Sequence, residues 1–140
     1  MPDVFDPATR SRVMSRVRNR DTAPERALRE ALFRAGLRGY RLHRRDVPGS
    51  PDIAWIGRRV AVFVDGAFWH GHPSAFKAGQ SGRFWDEKIA RNMERDRTVD
   101  RRLDECGWAV IRIWDFEIEQ SLDDCVNNVR SALVENADAQ

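Results

Sequence analysis

Hydrophobic positions along the chain fall into two kinds of pattern. Four stretches carry them at helical spacing, and between these stretches they fuse into short continuous runs. Asp6-Pro7 reads as an N-cap followed by proline at the first helical position, opening a short helix with Val13, Met14 and Val17 on one side. Thr22-Ala23-Pro24-Glu25 has the form of a capping box with proline inside the first turn. Leu28, Ala31, Leu32 and Ala35 supply the apolar stripe of the helix it opens, and Gly36 is its stop. From Phe84 to about Cys106, Trp85, Ile89, Met93 and Leu103 mark the buried side of a long helix ended by Gly107. Ser121 is the expected cap of a last helix bearing Leu122, Val126, Val129 and Leu133.

The runs between helices predict strands. Tyr40–His43 is a short one; Ile53-Ala54-Trp55-Ile56 follows the turn Pro48-Gly49-Ser50-Pro51. Gly57-Arg58-Arg59 connects tightly to Val60–Val64, whose unbroken apolar character predicts burial on both faces. Residues 66–83 read as a loop, and 108–114 as another apolar strand. The order α-α-β-β-β-α-β-α predicts one α/β domain, a mixed sheet flanked by helices.

Composition changes this picture in one respect. The 140 residues suffice for one domain that buries roughly two-thirds of its unfolded surface. Basic and acidic residues nearly balance, 24 against 22, but unevenly. Residues 1–45 hold 12 Arg and no Lys against five acids, whereas residues 115–140 hold one Arg against seven. A basic front with an acidic tail suits a polyanion contacted by one part of the chain, and a solvated helix face is the alternative. Two cysteines make no disulfide framework, and no signal peptide or membrane span is recognisable, so a cytoplasmic protein is expected.

The groups suited to chemistry gather in the middle of the chain. Asp52 precedes one strand and Asp65 ends the next, so a hairpin can bring both carboxylates to one sheet edge; hard oxygen pairs of this kind favour Mg²⁺. The alternative is two turn aspartates. In FVDGAFWHGH (residues 63–72) two histidines bracket Gly71. An H-x-H pair with Cys106 or Cys125 matches no common structural-zinc spacing, so a neutral imidazole in this loop is read as a candidate general base, provided a carboxylate orients it. Asn92 and Asp96 share one helix face, and Asp96 is a candidate partner; a salt-bridged surface turn is the alternative. Phe68-Trp69 and Phe84-Trp85 flank the same loop, either as core or as wedges that enter DNA.

Taken together, DVFDPATRSRVMSRVRNRDTAPE, PGSPDIAW, VFVDGAFWHGH, FWDEKIARNMERDR and CGWAVIRIWD, in that order, resemble the very short patch repair (Vsr) endonucleases of the restriction-endonuclease-like superfamily. The resemblance covers roughly residues 3–115 and implies a single α/β domain of the PD-(D/E)xK type: a basic DNA-clamping segment, residues 1–21, and a catalytic core, residues 22–135. It implies Asp52 as metal ligand, Val64 as ligand through its backbone carbonyl, and Asp65 as a further candidate. His70 would be the general base oriented by Asp96, with Glu25 acting on the metal through water. Phe68, Trp69 and Trp85 would enter DNA beside a mispair while Arg10, Arg12 and Arg16 clamp the duplex. The implied activity is Mg²⁺-dependent nicking, with two ions, 5′ to the thymine of a T:G mismatch in double-stranded DNA by a monomer.

The chain departs from the family at its structural zinc. The corresponding positions read Ala67, His72, Ser74 and Phe116, so no structural zinc is expected. Two rivals stay open: a restriction-type or modification-dependent nuclease of the same fold, and a DNA-damage binding protein that does not cut.

Overall fold

The computed structural model describes residues 21–137. The helix expected after Asp6-Pro7, and with it Arg10, Arg12 and Arg16, lies outside the described residues. Within them the order is α1 (Ala23–Arg34), β1 (Arg41–Leu42), β2 (Ile53–Trp55), β3 (Val60–Asp65), α2 (Arg83–Glu105), β4 (Ala109–Trp114), α3 (Asp115–Gln120) and α4 (Leu122–Glu135). The strands form one sheet in the order β1-β2-β3-β4. β1 pairs with β2 and β2 with β3 antiparallel, as short connections allow, and β3 pairs with β4 parallel, which the crossover through α2 permits.

Strand β3 organises the interior because its two faces are both covered. Val60 and Val62 point into a core built with Leu28 and Leu32 of α1, Ile113 of β4, Ile118 of α3, and Val126, Val129 and Leu133 of α4. Ala61 and Phe63 point the other way, against Val47 and Leu103 of α2. Complete burial of Leu28, Leu32 or Val62 is worth ~1.5–3 kcal/mol each relative to exposure. A third cluster, Trp69, Trp85 and Ile89 with Phe68, Phe76 and Met93 at its margin, sits between the loop after β3 and the start of α2.

Four local expectations need correction. β1 has two residues rather than the four of Tyr40–His43, since only Arg41 and Leu42 find partners, on Ala54 and Ile53. At α1, Thr22 accepts from the Glu25 amide (3.4 Å), but the Glu25 side chain does not close the capping box and turns inward instead. Ser121 occupies the N-cap position of α4 without a side-chain cap bond. Helix α3 was not foreseen. It is too short for a periodic signal, and local bonds start it: Glu117 accepts from the Trp114 amide (3.0 Å) and Asp115 from the Phe116 amide (2.8 Å).

The segment after β3 is a series of turns rather than an open loop. The His70, His72 and Phe76 amides donate to the carbonyls of Gly66, Ala67 and His72 at 3.1, 2.8 and 2.9 Å. Asp115 anchors its beginning by accepting from the Ala67 amide (3.3 Å). Gly71, at φ +74, brings the backbone against α2, where a Cβ would run into Met93 Sδ and approach Ile89 Cγ2 to 3.1 Å. Gly79, at φ +88, has nothing within 4 Å of that position. Both Gly71→Ala and Gly79→Ala are expected to lose about 1–3 kcal/mol to backbone strain, with Gly71→Ala losing more because of the α2 contact. Denaturant unfolding of the two variants measures this, and equal losses would mean that Met93 gives way freely.

Candidate active site

Two groups of polar side chains meet at the end of β3, where Val64 and Asp65 point to opposite faces. In the first group, Asp52 Oδ2 accepts from the Val64 amide at 2.7 Å. Glu25, 2% exposed, comes from the first turn of α1. Its Oε2 is held by Arg29 Nη1 at 2.7 Å, and Arg29 also reaches Asp21 Oδ1 at 2.6 Å. His43 Nε2 lies 3.1 Å from Glu25 Oε1 and 3.8 Å from Asp52 Oδ1. Burial and the Glu25 carboxylate push the Asp52 carboxyl up to about 7, against the pull of the Val64 amide and His43. Burial and a second carboxylate that hold back ionisation make a place for positive charge, which a divalent cation would supply. Hard carboxylate oxygens with an imidazole nearby fit Mg²⁺ or Mn²⁺.

The second group faces α2. His70 Nδ1 is hydrogen-bonded to Asp96 Oδ2, and His70 Nε2 lies 3.7 Å from Asp65 Oδ1. Arg112 Nη1 donates to both oxygens of Asp65 at 3.1 Å and approaches Asp96 Oδ1 at 3.6 Å. Its other end is fixed by Asp100 at 2.8 Å, and its guanidinium lies 4.2 Å over the Phe63 ring. Burial pulls the His70 imidazole down, but the Asp96 hydrogen bond and the charges of Asp65 and Asp96 outweigh it, and the net shift is upward. Burial raises the Asp65 carboxyl, with His70 and Arg112 opposing.

The expected Asp52–Asp65 carboxylate pair is therefore corrected. Asp52 groups with Glu25 and His43, while Asp65 is taken by Arg112 and stands beside His70 and Asp96. The physical reason is strand periodicity: Asp65 shares a face with Phe63 and Arg112, not with the Val64 side of the strand. The three residues Asp65, His70 and Asp96 nonetheless lie close enough to hold an ion together.

Trp69 and Trp85 do not stand clear of the protein; they are 8% and 7% exposed and pack edge-to-face at 5.7 Å. Phe68 is half-buried against both, at 5.9 and 5.4 Å, and Phe84 is exposed. Trp69, His70, Asn92, Arg95 and Asp96 line a cleft, and the Asn92 amide donates to the Trp69 carbonyl at 3.0 Å. At the positions of the family's zinc, the His72 ring packs against Trp114 and Phe116 at 4.7 and 4.8 Å, and its Nδ1 accepts from the Ser74 amide and sits 2.8 Å from the Ser74 hydroxyl.

His43, Asp100 and Arg112 were missed by sequence reasoning. Arg112 had a signal, as the one charge within the apolar strand AVIRIW. Asp100 lies one helical turn beyond Asp96. His43 had none, because 18 residues separate it from Glu25.

The raised Asp52 carboxyl has a consequence for stability. Its folded pKa of about 7 exceeds the ordinary 3.8, so the folded state binds this proton more tightly, and stability falls as pH rises toward about 7. Without divalent cations, the melting temperature of the native protein is expected to drop relative to Asp52→Asn as pH rises from about 4 to about 7. Added Mg²⁺ should recover part of that drop in the native protein and not in the variant, as calorimetry with and without chelator can check.

Comparison with known proteins agrees with this geometry. The profile of a family described as DNA mismatch endonuclease Vsr matches residues 2–75. DNA mismatch endonuclease Vsr of Escherichia coli (strain K12) is 42% identical over 117 residues, which are 82% of this chain and 74% of that protein. The type II nicking enzyme V.XorIIP of Xanthomonas oryzae pv. oryzae is 40% identical over 120 residues, 84% of this chain and 88% of the relative. The type II nicking enzyme V.NmeDIP of Neisseria meningitidis serogroup C is 40% identical over 134 residues, 94% of this chain and 90% of the relative. With its mixed sheet flanked by helices and this degree of identity over most of its length, the chain belongs to the DNA mismatch endonuclease Vsr family and is a DNA endonuclease.

Proposed function

We propose that this endonuclease nicks one strand of double-stranded DNA 5′ to the thymine of a T:G mispair, as a cytoplasmic monomer that depends on Mg²⁺. The observation that carries this reading is the His70–Asp96 pair on a cleft at the end of β3, the strand whose Val64 amide holds the Asp52 carboxylate. The relatives' names support it, one being a mismatch endonuclease and two being nicking enzymes. Among the described residues, no helix is long and apolar enough to cross a membrane.

The chemistry required is in-line attack of water on a phosphodiester. Asp96 accepts the Nδ1 proton of His70, so the free Nε2 is the acceptor for a proton from water. Arg112 and Asp65 hold that pair in place from the sheet side. Asp52 is the ligand proposed for the cation, joined by the Val64 backbone carbonyl and, through water, by Glu25. When bound, the cation stabilises the negative charge that develops on the phosphoryl group. Residues 1–21, with Arg10, Arg12 and Arg16, are proposed to clamp the duplex ahead of the catalytic core at 22–135.

The aromatic cluster takes the role of reading the mispair. A mismatch is the cheapest step to unstack, so apolar residues that enter there couple recognition to position. Phe68 would meet the bases, with Trp69 and Trp85 supporting it from behind. His72, packed between Trp114 and Phe116, would need no zinc to hold its loop.

End-labelled duplexes that differ only by T:G in place of T:A test the reading with Mg²⁺ present. Nicking confined to the mismatched duplex is expected, and equal cutting of both would overturn the mismatch assignment. His70→Ala is expected to lose about 10²–10⁴ in single-turnover rate with DNA binding retained. Asp96→Asn removes the interaction that raises the imidazole, so the acid limb of its pH–rate profile should move to lower pH and its plateau should fall. An unmoved limb would remove His70 from the base role. For the aromatics, Trp69→Ala should destabilise the fold by ~3–5 kcal/mol. Phe68→Ala should cost less stability and reduce T:G over T:A discrimination.

A further inference from the structure

We propose that His43 is a positioning residue that sets Glu25 against Asp52 and so determines how tightly this site holds a divalent cation. The inference rests on the reading that Asp52 is a metal ligand, and it concerns a residue to which that reading gives no task. Its basis is how the four carboxylate oxygens are used. Glu25 Oε2 is taken by Arg29 at 2.7 Å and Asp52 Oδ2 by the Val64 amide at 2.7 Å. Glu25 Oε1 and Asp52 Oδ1 are left, and both face the same nitrogen, His43 Nε2, at 3.1 and 3.8 Å. Two carboxylates repel when both are charged, and Glu25 is too deeply buried for bulk water to screen it. The imidazole N–H is hydrogen-bonded to Glu25 Oε1 and stands next to Asp52 Oδ1 without bonding it, which places Glu25 relative to Asp52.

The backbone is arranged to bring the ring there. His43 follows β1, its amide donates to the Asp52 carbonyl at 3.3 Å, and its φ of +50 lies in the left-handed region. That conformation costs a non-glycine residue free energy and persists only where its surroundings hold it. The ring is largely buried, with 12% of the side chain exposed, so it is not a freely moving surface histidine. Partners that orient metal-ligating groups typically matter by about 10–100-fold in affinity. What the position requires is an N–H donor that reaches Glu25, and a glutamine amide can supply one.

The test uses Mn²⁺ as the probe, with free ion measured by electron paramagnetic resonance on the full-length protein without DNA. His43→Leu fills similar volume without a donor and is expected to bind Mn²⁺ about tenfold or more weakly. His43→Gln is expected to stay within about threefold of the native protein. Asp52→Asn serves as the reference for a lost ligand. Native affinity in His43→Leu, with binding lost in Asp52→Asn, overturns the inference and leaves the metal assignment standing. A glutamine variant tenfold weaker than the native protein also overturns it, whether or not the leucine variant folds. If Asp52→Asn binds Mn²⁺ as the native protein does, the metal assignment fails and the inference falls with it.

Discussion

The alternation of β3 is the constraint on which the site depends. A strand sends successive side chains to opposite faces, and β3 is covered on both, so its last two residues serve different groups. The Val64 backbone amide holds the Asp52 carboxylate, while the Asp65 side chain reaches Arg112 and His70. The apolar run VAVFV supplies the burial that holds this junction rigid, and burial in turn raises the Asp52 and Asp65 carboxyls. The same residues therefore build the core and raise the carboxyls at its edge.

Neither group is tuned by one contact. His70 is pulled down by burial and raised by Asp96 and Asp65, with Arg112 opposing. Arg112 is itself fixed three ways, by Asp65, by Asp100 and by the Phe63 ring. Such a network separates roles that a single carboxylate could not combine. Asp96 holds the His70 imidazole, while Asp65 is tied to arginine and not to the Asp52 group. Conversely, Arg29 and His43 are both engaged with Glu25, which leaves Asp52 Oδ1 at 3.8 Å from His43 Nε2.

The aromatic cluster links this chemistry to the fold. Trp69 and Trp85 fill the space between the turns after β3 and the start of α2, and Asn92 fixes the Trp69 carbonyl. His70 is the next residue, so the packing that orders the tryptophans also orders its imidazole. Gly71 then lets the backbone lie directly on Ile89 and Met93 of α2, the helix that carries Asp96. A wedge mounted on this cluster would have a rigid support that a free loop could not give.

How much of this was legible in the sequence depended on the range of the interaction. Periodicity and punctuation located α1, α2, α4 and three of the strands, because these signals are local and strong. The quoted motifs carried the resemblance to the family, and with it the nuclease reading. Helix α3 escaped, since six residues show no period and its start depends on side chains of Trp114's neighbours bonding back to the backbone. Spacing named Asp52, Asp65, His70 and Asp96 as candidates, but it could not say which of them meet. That was decided by the tertiary structure: the strand register turns Asp65 toward Arg112, α1 folds Glu25 over Asp52, and a left-handed residue after β1 brings in His43. Residue types and their local order are written along the chain, whereas the distances between charged atoms arise only when strands and helices far apart in sequence pack together.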